Sequence, residues 1–272
     1  MKLIWTTDIH LNFIDSVKLD DFCKKISCLN PDGVLIGGDI AESTSLVKIL
    51  LILEQKIQCP IYFVLGNHDY YQGSISDVRE QVQKITENSS YLQYLTGTGI
   101  VKLTSNTCLI GHDSWSDGRC GDYFNSAVML NDYVMIKELK SLDKQERLEK
   151  LKQLGDEAAC YLREQLSQAF LNFQHILLLT HVPPFAEACW HEGHLSNDDF
   201  LPHFCCKATG DVFVELMSKH PDKNLTVFCG HTHSSGVSQI LPNLVVRTGG
   251  AEYGQPKIQD PIYIQDPNYI KE

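Results

Sequence analysis

The chain has 272 residues, 43% of them hydrophobic and 21% charged, which is long enough to build a sizeable buried core. That balance excludes a disordered chain, and 18 Gly and 10 Pro with no three-residue period exclude collagen. A formal net charge of −11 disfavours duplex nucleic acid and an anionic membrane as partners unless a local basic patch intervenes.

In chain order, short apolar and β-rich runs occupy residues 3–5, 34–36, 61–65, 108–110, 176–179, 226–228 and 244–246, and each reads as a buried strand. Between the first of them lie helix-period stretches at 17–29 and 44–56, with Ser43 as the expected N-cap of the second. Pro31-Asp32-Gly33 and Cys59-Pro60 punctuate the helix-to-strand joins. This alternation means an α/β sheet. Residues 125–170 differ: they are charged and helical in period, with Ile136, Leu139, Leu142, Leu148, Leu151 and Leu154 on one apolar stripe. One or two outer helices covering the sheet are expected there. Near the C-terminus QDPIYI (259–264) nearly repeats as QDPNYI (265–270), and a Pro-punctuated extended tail is expected over about 255–272. No linker rich in Gly, Ser or Pro divides the chain, so residues 1–272 read as a single domain.

Two counts stand out, 10 Cys and 11 His. The cysteines form no C-x-x-C pair, and several, such as Cys229, lie in apolar runs where a free thiol acts as a small hydrophobe. They read as reduced structural thiols. The N-terminal apolar run meets Asp8 too soon for a signal peptide, and the run at 49–53 is too short to span a bilayer. A cytoplasmic location follows as the expectation.

The histidines carry more information. Nearly every strand end runs into Asp, His or Asn: Asp8-Ile9-His10, Gly38-Asp39, Gly66-Asn67-His68-Asp69, His181, and Gly230-His231-Thr232-His233. In an α/β sheet, functional groups gather outside the carboxyl ends of the strands, so groups remote in sequence can converge on one site. Imidazoles, carboxylates and an amide are N and O donors, suited to Zn, Mn or Fe rather than to the all-oxygen shell of Mg or Ca. Seven such ligands exceed what one transition metal takes from protein. Two ions roughly 3.5–4 Å apart fit better and call for a bridging carboxylate. Glycine beside a ligand lets the backbone turn sharply and lets side chains crowd one point. Any one of these motifs alone is weak; all five in order, each at an expected strand end, are not.

In that order the blocks resemble the signature of the calcineurin-like metallophosphoesterase superfamily: D-x-H, G-D, G-N-H-[D/E], H and G-H-x-H, here running from Asp8 to His233. The resemblance implies a four-layer αββα sandwich of two mixed sheets, with an outer helical insertion at about 125–170. It implies one metal on Asp8, His10, Asp39 and His233, and a second on Asp39, Asn67, His181 and His231, with Asp39 bridging. The ions would be Mn, Fe or Zn, divalent or trivalent, and a hydroxide shared between them would attack phosphorus in line. His68 would stabilise or protonate the leaving oxygen, and Glu42, three residues after Asp39, is expected to hydrogen-bond it. Asp69 is expected to serve the loop rather than the chemistry.

Asp39 is followed by Ile40-Ala41-Glu42-Ser43 where the protein serine/threonine phosphatases of this superfamily have Val-Asp-Arg-Gly. The missing Arg favours the broad bacterial-type branch and small phosphoesters over phosphoproteins. Arg119, in the loop 111–119, is the expected substitute phosphate clamp. His191 and His194, in the loop 183–209 that also carries Trp190 and His203, are expected to reach substrate. The function implied is a metal-dependent phosphohydrolase cleaving a phosphomonoester or phosphodiester. The alternatives are a nuclease-type phosphodiesterase, which the lack of a Lys/Arg run disfavours, and a non-catalytic interaction module on the same fold, which the intact ligand set disfavours.

Overall fold

The computed structural model describes residues 1–265. Its first sheet grows from the N-terminal apolar runs: β1 (Lys2–Thr6), β2 (Gly33–Gly37), β3 (Ile61–Val64) and β4 (Leu92–Tyr94) lie parallel in that order. The crossovers are α1 (Ser16–Cys28), α2 (Ser43–Ile57) and α3 (Ile75–Glu87). Asp15 caps α1, its carboxylate accepting from Lys18 N at 2.9 Å. The cap of α2 is Glu42 rather than Ser43, because the Ser43 hydroxyl is engaged in donating to Tyr71 O at 2.7 Å.

A short turn of helix, α4 (Leu95–Thr98), and β5 (Val101–Lys102) lead into the second sheet through β6 (Thr107–His112). Then follow α5 (Asp132–Met135), α6 (Lys144–Ala169), β7 (His175–Thr180), the hairpin β8 (Trp190–His191) and β9 (His194–Leu195), α7 (Leu201–Phe204) and α8 (Lys207–Lys219). The chain finishes with β10 (Asn224–Cys229), β11 (Gly236–Leu241), β12 (Leu244–Thr248) and β13 (Ile262–Tyr263). The second sheet has the order β11-β12-β10-β7-β6-β5, parallel at its centre and antiparallel at both edges. β13 returns to pair antiparallel with β1, so the start of the expected tail adds an edge strand to the first sheet. The second QDPxYI copy, from residue 266 on, lies outside the described residues.

Alternation along the strands sorts the apolar side chains into layers. Leu3, Trp5 and Leu35 face Leu177, Leu179 and Phe228 between the sheets, where the Trp5 and Phe228 rings meet edge to face at 5.0 Å. Ile4, Val34, Ile36 and Phe63 point the other way, onto Phe22, Ile26, Leu50 and Val82 of the first helical layer. Ile110, Ile176, Leu178 and Val227 pack onto Leu162, Leu166, Phe213 and Met217 of α6 and α8. The result is the four-layer αββα sandwich of two mixed sheets. Each fully buried Leu or Ile contributes about 1.5–3 kcal/mol to holding these layers together.

The charged stretch expected to be helical contains α5 and the long α6, which opens on a capping box between Asp143 and Glu146. The stripe residues Leu148, Leu151 and Leu154 bury against Ile136 and Leu139, so that face belongs to the core. All ten cysteines are free. Among the described residues no helix is long and apolar enough to cross a membrane.

Candidate metal centre

The parallel strands β1, β2, β3, β7 and β10 all point their carboxyl ends at one edge of the sandwich, and the chemistry-bearing residues follow directly from them. The loops are locked to one another by backbone bonds: Asp8 N donates to Gly38 O (3.0 Å), His10 N to Asp39 O (2.9 Å), and Gly230 N to His181 O (2.9 Å). Asp69 takes the amides of Ile40 and Ala41 on one oxygen and of Gly66 on the other, tying the second loop to the third, as expected of a structural residue. Asp8, His10, Asp39, His231 and His233 all have φ between 41 and 70°, left-handed conformations that cost a non-glycine residue about 1–3 kcal/mol and cluster at functional sites.

The glycines of the blocks are required by contact. A Cβ on Gly66 would lie 2.2 Å from Asp39 Oδ1 and 2.6 Å from His181 Cε1, and one on Gly230 would lie 2.0 Å from Asp8 Oδ2. Only a residue without a side chain lets these ligand-type groups approach.

Asp8, His10, Asp39 and His233 form one group, with one donor atom from each lying within 4.8 Å of the others. His10 Nε2 faces His233 Nε2 at 3.4 Å and Asp39 Oδ2 at 3.7 Å, and His233 Nε2 lies 3.4 Å from Asp8 Oδ1. On the other side of Asp39, His181 Nε2 stands 3.5 Å from Oδ1. Asn67 Oδ1 lies 3.0 Å from His181 Nε2 and 3.1 Å from His231 Nδ1, and those two nitrogens are 3.2 Å apart. Asp39 thus turns one carboxylate oxygen to each group.

The second group has a revealing proton count. His181 Nδ1 donates to Gly37 O (2.8 Å) and His231 Nε2 donates to His203 O (3.0 Å), since a carbonyl can only accept. Burial lowers the His231 pKa to about 3, which leaves its other nitrogen without a proton. Asn67 Nδ2 donates to Asp132 Oδ1 at 2.8 Å, which turns the amide oxygen inward. Two lone pairs, on His231 Nδ1 and Asn67 Oδ1, therefore face each other at 3.1 Å, with His181 Nε2 beside both. Two facing acceptors are at ease only with a proton from His181 or a metal ion beside them, and the outer hydrogen bonds are of the kind that orients metal ligands. These residues fit a metal.

Charge in the site is distributed unevenly. Burial and the neighbouring Asp8 charge push the Asp39 carboxyl well above its usual range, while Asp8 is held low because its hydrogen bond to His233 and three nearby imidazoles outweigh burial. Burial and the His68 charge bring His10 down to about 2. His233 goes the other way: burial would lower it, but the Asp8 contact and the Asp39 charge raise it.

His68 sits at the mouth, its ring packed on Tyr71 (4.2 Å between centroids) and His10 (4.6 Å). Its Nε2 lies 3.4 Å from the Tyr253 hydroxyl and 3.9 Å from Asp39 Oδ2. The expected bond from Glu42 is not formed. As the residue capping α2, Glu42 directs its carboxylate outward, where it accepts from Gln72 Nε2 at 2.7 Å. Arg119 is also elsewhere: Asp117 (3.0 Å) and Asp156 (2.8 Å) capture its guanidinium, and it does not line the cleft. His191 does line the cleft, with its ring against Phe200 and Phe204. His194 is exposed on β9, turned back to Glu192 O, and does not.

Three residues without a motif complete the site. Asp132 on α5 accepts from both Asn67 and Tyr71, His203 lends its carbonyl to His231, and Tyr253 closes the side by His68, His10 and His233. The cleft above them has a volume of about 330 Å³.

Comparison with known proteins places the chain in context. It is similar to a transmembrane protein with metallophosphoesterase domain from Bos taurus, 31% identical over 81 residues, and to the UDP-2,3-diacylglucosamine pyrophosphatase of Chlamydia muridarum, 29% identical over 97 residues. These stretches cover 28% and 33% of this chain but only 18% and 29% of those proteins, so less than a third of either relative is matched. Among solved structures, the phosphopantetheinyl hydrolase from Mycobacterium tuberculosis superposes with a TM-score of 0.64 at 12% identity, covering 100% of this chain and 98% of that one. A dimetal phosphatase from Danio rerio gives a TM-score of 0.57 at 11% identity, over 92% and 87% of the two chains. At such identities the likeness is one of fold. The family model for calcineurin-like phosphoesterases matches residues 1–235, most of the sequence, and the chain belongs to that family.

Proposed function

We propose that this protein is a metal-dependent phosphohydrolase of small phosphoesters that holds two metal ions, with Asp39 shared between them. Asp8, His10, Asp39 and His233 would hold the first, and Asp39, Asn67, His181 and His231 the second. The observation behind it is the convergence of His181 Nε2, His231 Nδ1 and Asn67 Oδ1 within 3.0–3.2 Å of one another, a donor set suited to a metal ion. Bound metal supplies Lewis-acid activation of water and neutralises phosphate charge.

The remaining roles fall to the chain's own groups. His68, at the open side of Asp39, is the proton donor to the leaving oxygen. Its orientation comes from the Tyr71 and His10 rings and the Tyr253 hydroxyl, in place of a carboxylate. Asp132 keeps the Asn67 oxygen turned inward, and His203 fixes the His231 tautomer through its carbonyl.

The test is metal analysis and hydrolysis of p-nitrophenyl esters by chelator-stripped protein reloaded with Mn²⁺, Zn²⁺ or Fe²⁺. Two metals per chain and metal-dependent turnover are expected. Asp39→Asn should lose metal, and His68→Ala should keep metal while losing turnover on a poor leaving group. No bound metal and no hydrolysis with any of the three ions would refute the proposal.

A further inference from the structure

The cleft over the two donor groups is unusual for a phosphate site in its charge. Among the described residues that line it there is no Lys and no Arg. Asp39 and Asp132 line it, and Asp8 lies buried beneath. Arg119, from the loop after β6, and Lys144 and Arg147, from the first turn of α6, are engaged elsewhere. Arg119 is paired with Asp117 and Asp156. Lys144 Nζ donates to the carbonyls of Phe124 (2.9 Å) and Ser126 (3.0 Å). Arg147 lies 4.3 Å over the Tyr133 ring and donates to Leu142 O at 3.2 Å; it reaches Met129 Sδ at 3.6 Å, outside the lining.

The walls, by contrast, offer apolar and aromatic surface: Met129, 62% exposed, with Leu130 and Phe204 on one side and Tyr253, 50% exposed, on the other. Phe13 extends that side, its ring 5.6 Å from that of Tyr253.

A phosphomonoester at neutral pH carries close to two negative charges, since its second pKa is about 6, whereas a diester carries one. Every phosphate charge not met by bound metal needs a side-chain cation or a cluster of N–H donors, and fixed Arg or Lys is the usual solution. Here the side chains add carboxylates instead. We infer that the site selects a phosphodiester monoanion over a phosphomonoester, with the second organic substituent lying between the Met129 and Leu130 side and Tyr253. This rests on the hydrolase proposed above. In the reaction, the water oxygen forms the new bond to phosphorus and the bond to the leaving oxygen breaks. His68 gives that oxygen its proton, and of the two protons the water loses, one restores His68 by way of solvent and the other is released to solvent. The products are an alcohol and a phosphomonoester dianion, which the cleft has no side-chain cation to retain.

The experiment compares bis(p-nitrophenyl) phosphate with p-nitrophenyl phosphate on the metal-loaded full chain, alongside calorimetric binding of diphenyl phosphate and phenyl phosphate. The diester is expected to win in kcat/KM and in affinity by roughly tenfold or more, the size of one charge-assisted hydrogen bond. Met129→Arg and Asn131→Arg, both at exposed positions lining the cleft, should each shift the ratio toward the monoester by a similar factor. Arg147→Gln should leave the ratio unchanged. Equal or better turnover of the monoester overturns the inference. So does a ratio insensitive to both new arginines, or a loss of monoester turnover in Arg147→Gln, which would make Arg147 the clamp. Hydrolysis of neither ester in Mn²⁺, Zn²⁺ or Fe²⁺ removes the hydrolase proposal itself, and this inference with it.

Discussion

Replacing Asp132 by Ala tests whether an outer hydrogen bond sets the metal affinity of this site. Asp132 is buried, and its Oδ1 accepts from Asn67 Nδ2 (2.8 Å) and from the Tyr71 hydroxyl (2.7 Å). In Asp132→Ala both donors lose a buried partner, at about 1–3 kcal/mol for each group left unsatisfied. The Asn67 amide is then free to rotate its oxygen away from His181 and His231. Loss of such an orienting partner typically costs 10–100-fold in metal affinity, so Kd for one of two metals should rise roughly 10–100-fold, or about 1.4–2.8 kcal/mol. Asp132→Asn removes the same charge but keeps an acceptor oxygen, and should retain most of the affinity. The assay is calorimetric titration of chelator-stripped protein with Mn²⁺ or Zn²⁺, with circular dichroism to verify the fold. Wild-type affinity in a folded Asp132→Ala refutes the orienting role. Equal losses in Ala and Asn variants would mean that charge, not orientation, is what Asp132 supplies.

Three further outcomes follow from the same geometry. Gly66→Ala puts a Cβ 2.2 Å from Asp39 Oδ1 and 2.6 Å from Asp39 N; beyond about 1–3 kcal/mol of overpacking, it should displace Asp39 and strip metal, and full metal content by elemental analysis would contradict this. Glu42→Gln should change kcat/KM by less than about twofold, as for a surface substitution, because the carboxylate bonds Gln72 and not His68; a large drop in steady-state rates would restore Glu42 to the site. Burial lowers His112 from 6.5 to about 4, and its neutral Nδ1 accepts from Ser114 N at 2.9 Å. Because the folded pKa lies below the unfolded one, the unfolded chain binds the proton first as pH falls. Stability should therefore decrease from about pH 6.5 down to about 4, by on the order of 2 kcal/mol between pH 7 and 5, and urea melts of His112→Gln should show a shallower slope.

What was legible in the sequence is what chemistry and backbone constrain together. The central strands are continuous apolar runs because both faces are covered, so residues 34–36, 176–179 and 226–228 announce themselves. The edge strands β4, β5, β11 and β13 are short or half-exposed and carry no such run. The helix α3 does carry a readable period, with Ile75, Val78, Val82 and Ile85 on one face among polar residues, although no helix was expected there. Asp132 and Tyr253 reach the site from loops or a four-residue helix, where no spacing rule applies. Arg119 failed as a clamp for a local reason: Asp117, two residues away, and Asp156, one turn of α6 before Cys160, neutralise it before any substrate could. The Glu42 to His68 bond is absent because the Glu42 carboxylate is turned outward and held by Gln72 Nε2 at 2.7 Å.

The blocks themselves were readable because their residues must do two things at once. Asp8, His10, Asp39, His231 and His233 present donor atoms from left-handed backbone, where a side chain is disfavoured, at points where the chain leaves a strand abruptly. That conformation persists only where neighbours over-determine it. Gly38, Gly66 and Gly230 clear the space, Asp8 and His10 borrow carbonyls from the loop after β2, and His231 N donates back to the Asp8 carboxylate at 2.9 Å. A strand-end Asp or His flanked by Gly therefore marks a position where the fold accepts local strain to crowd ligands, whereas a loop Arg or His with an ordinary backbone marks nothing until its partners are seen. Asp8, His10, Asp39, His231 and His233 lie in the first class, while Asn67 and His181, like Arg119 and His194, have ordinary backbone and belong to the second.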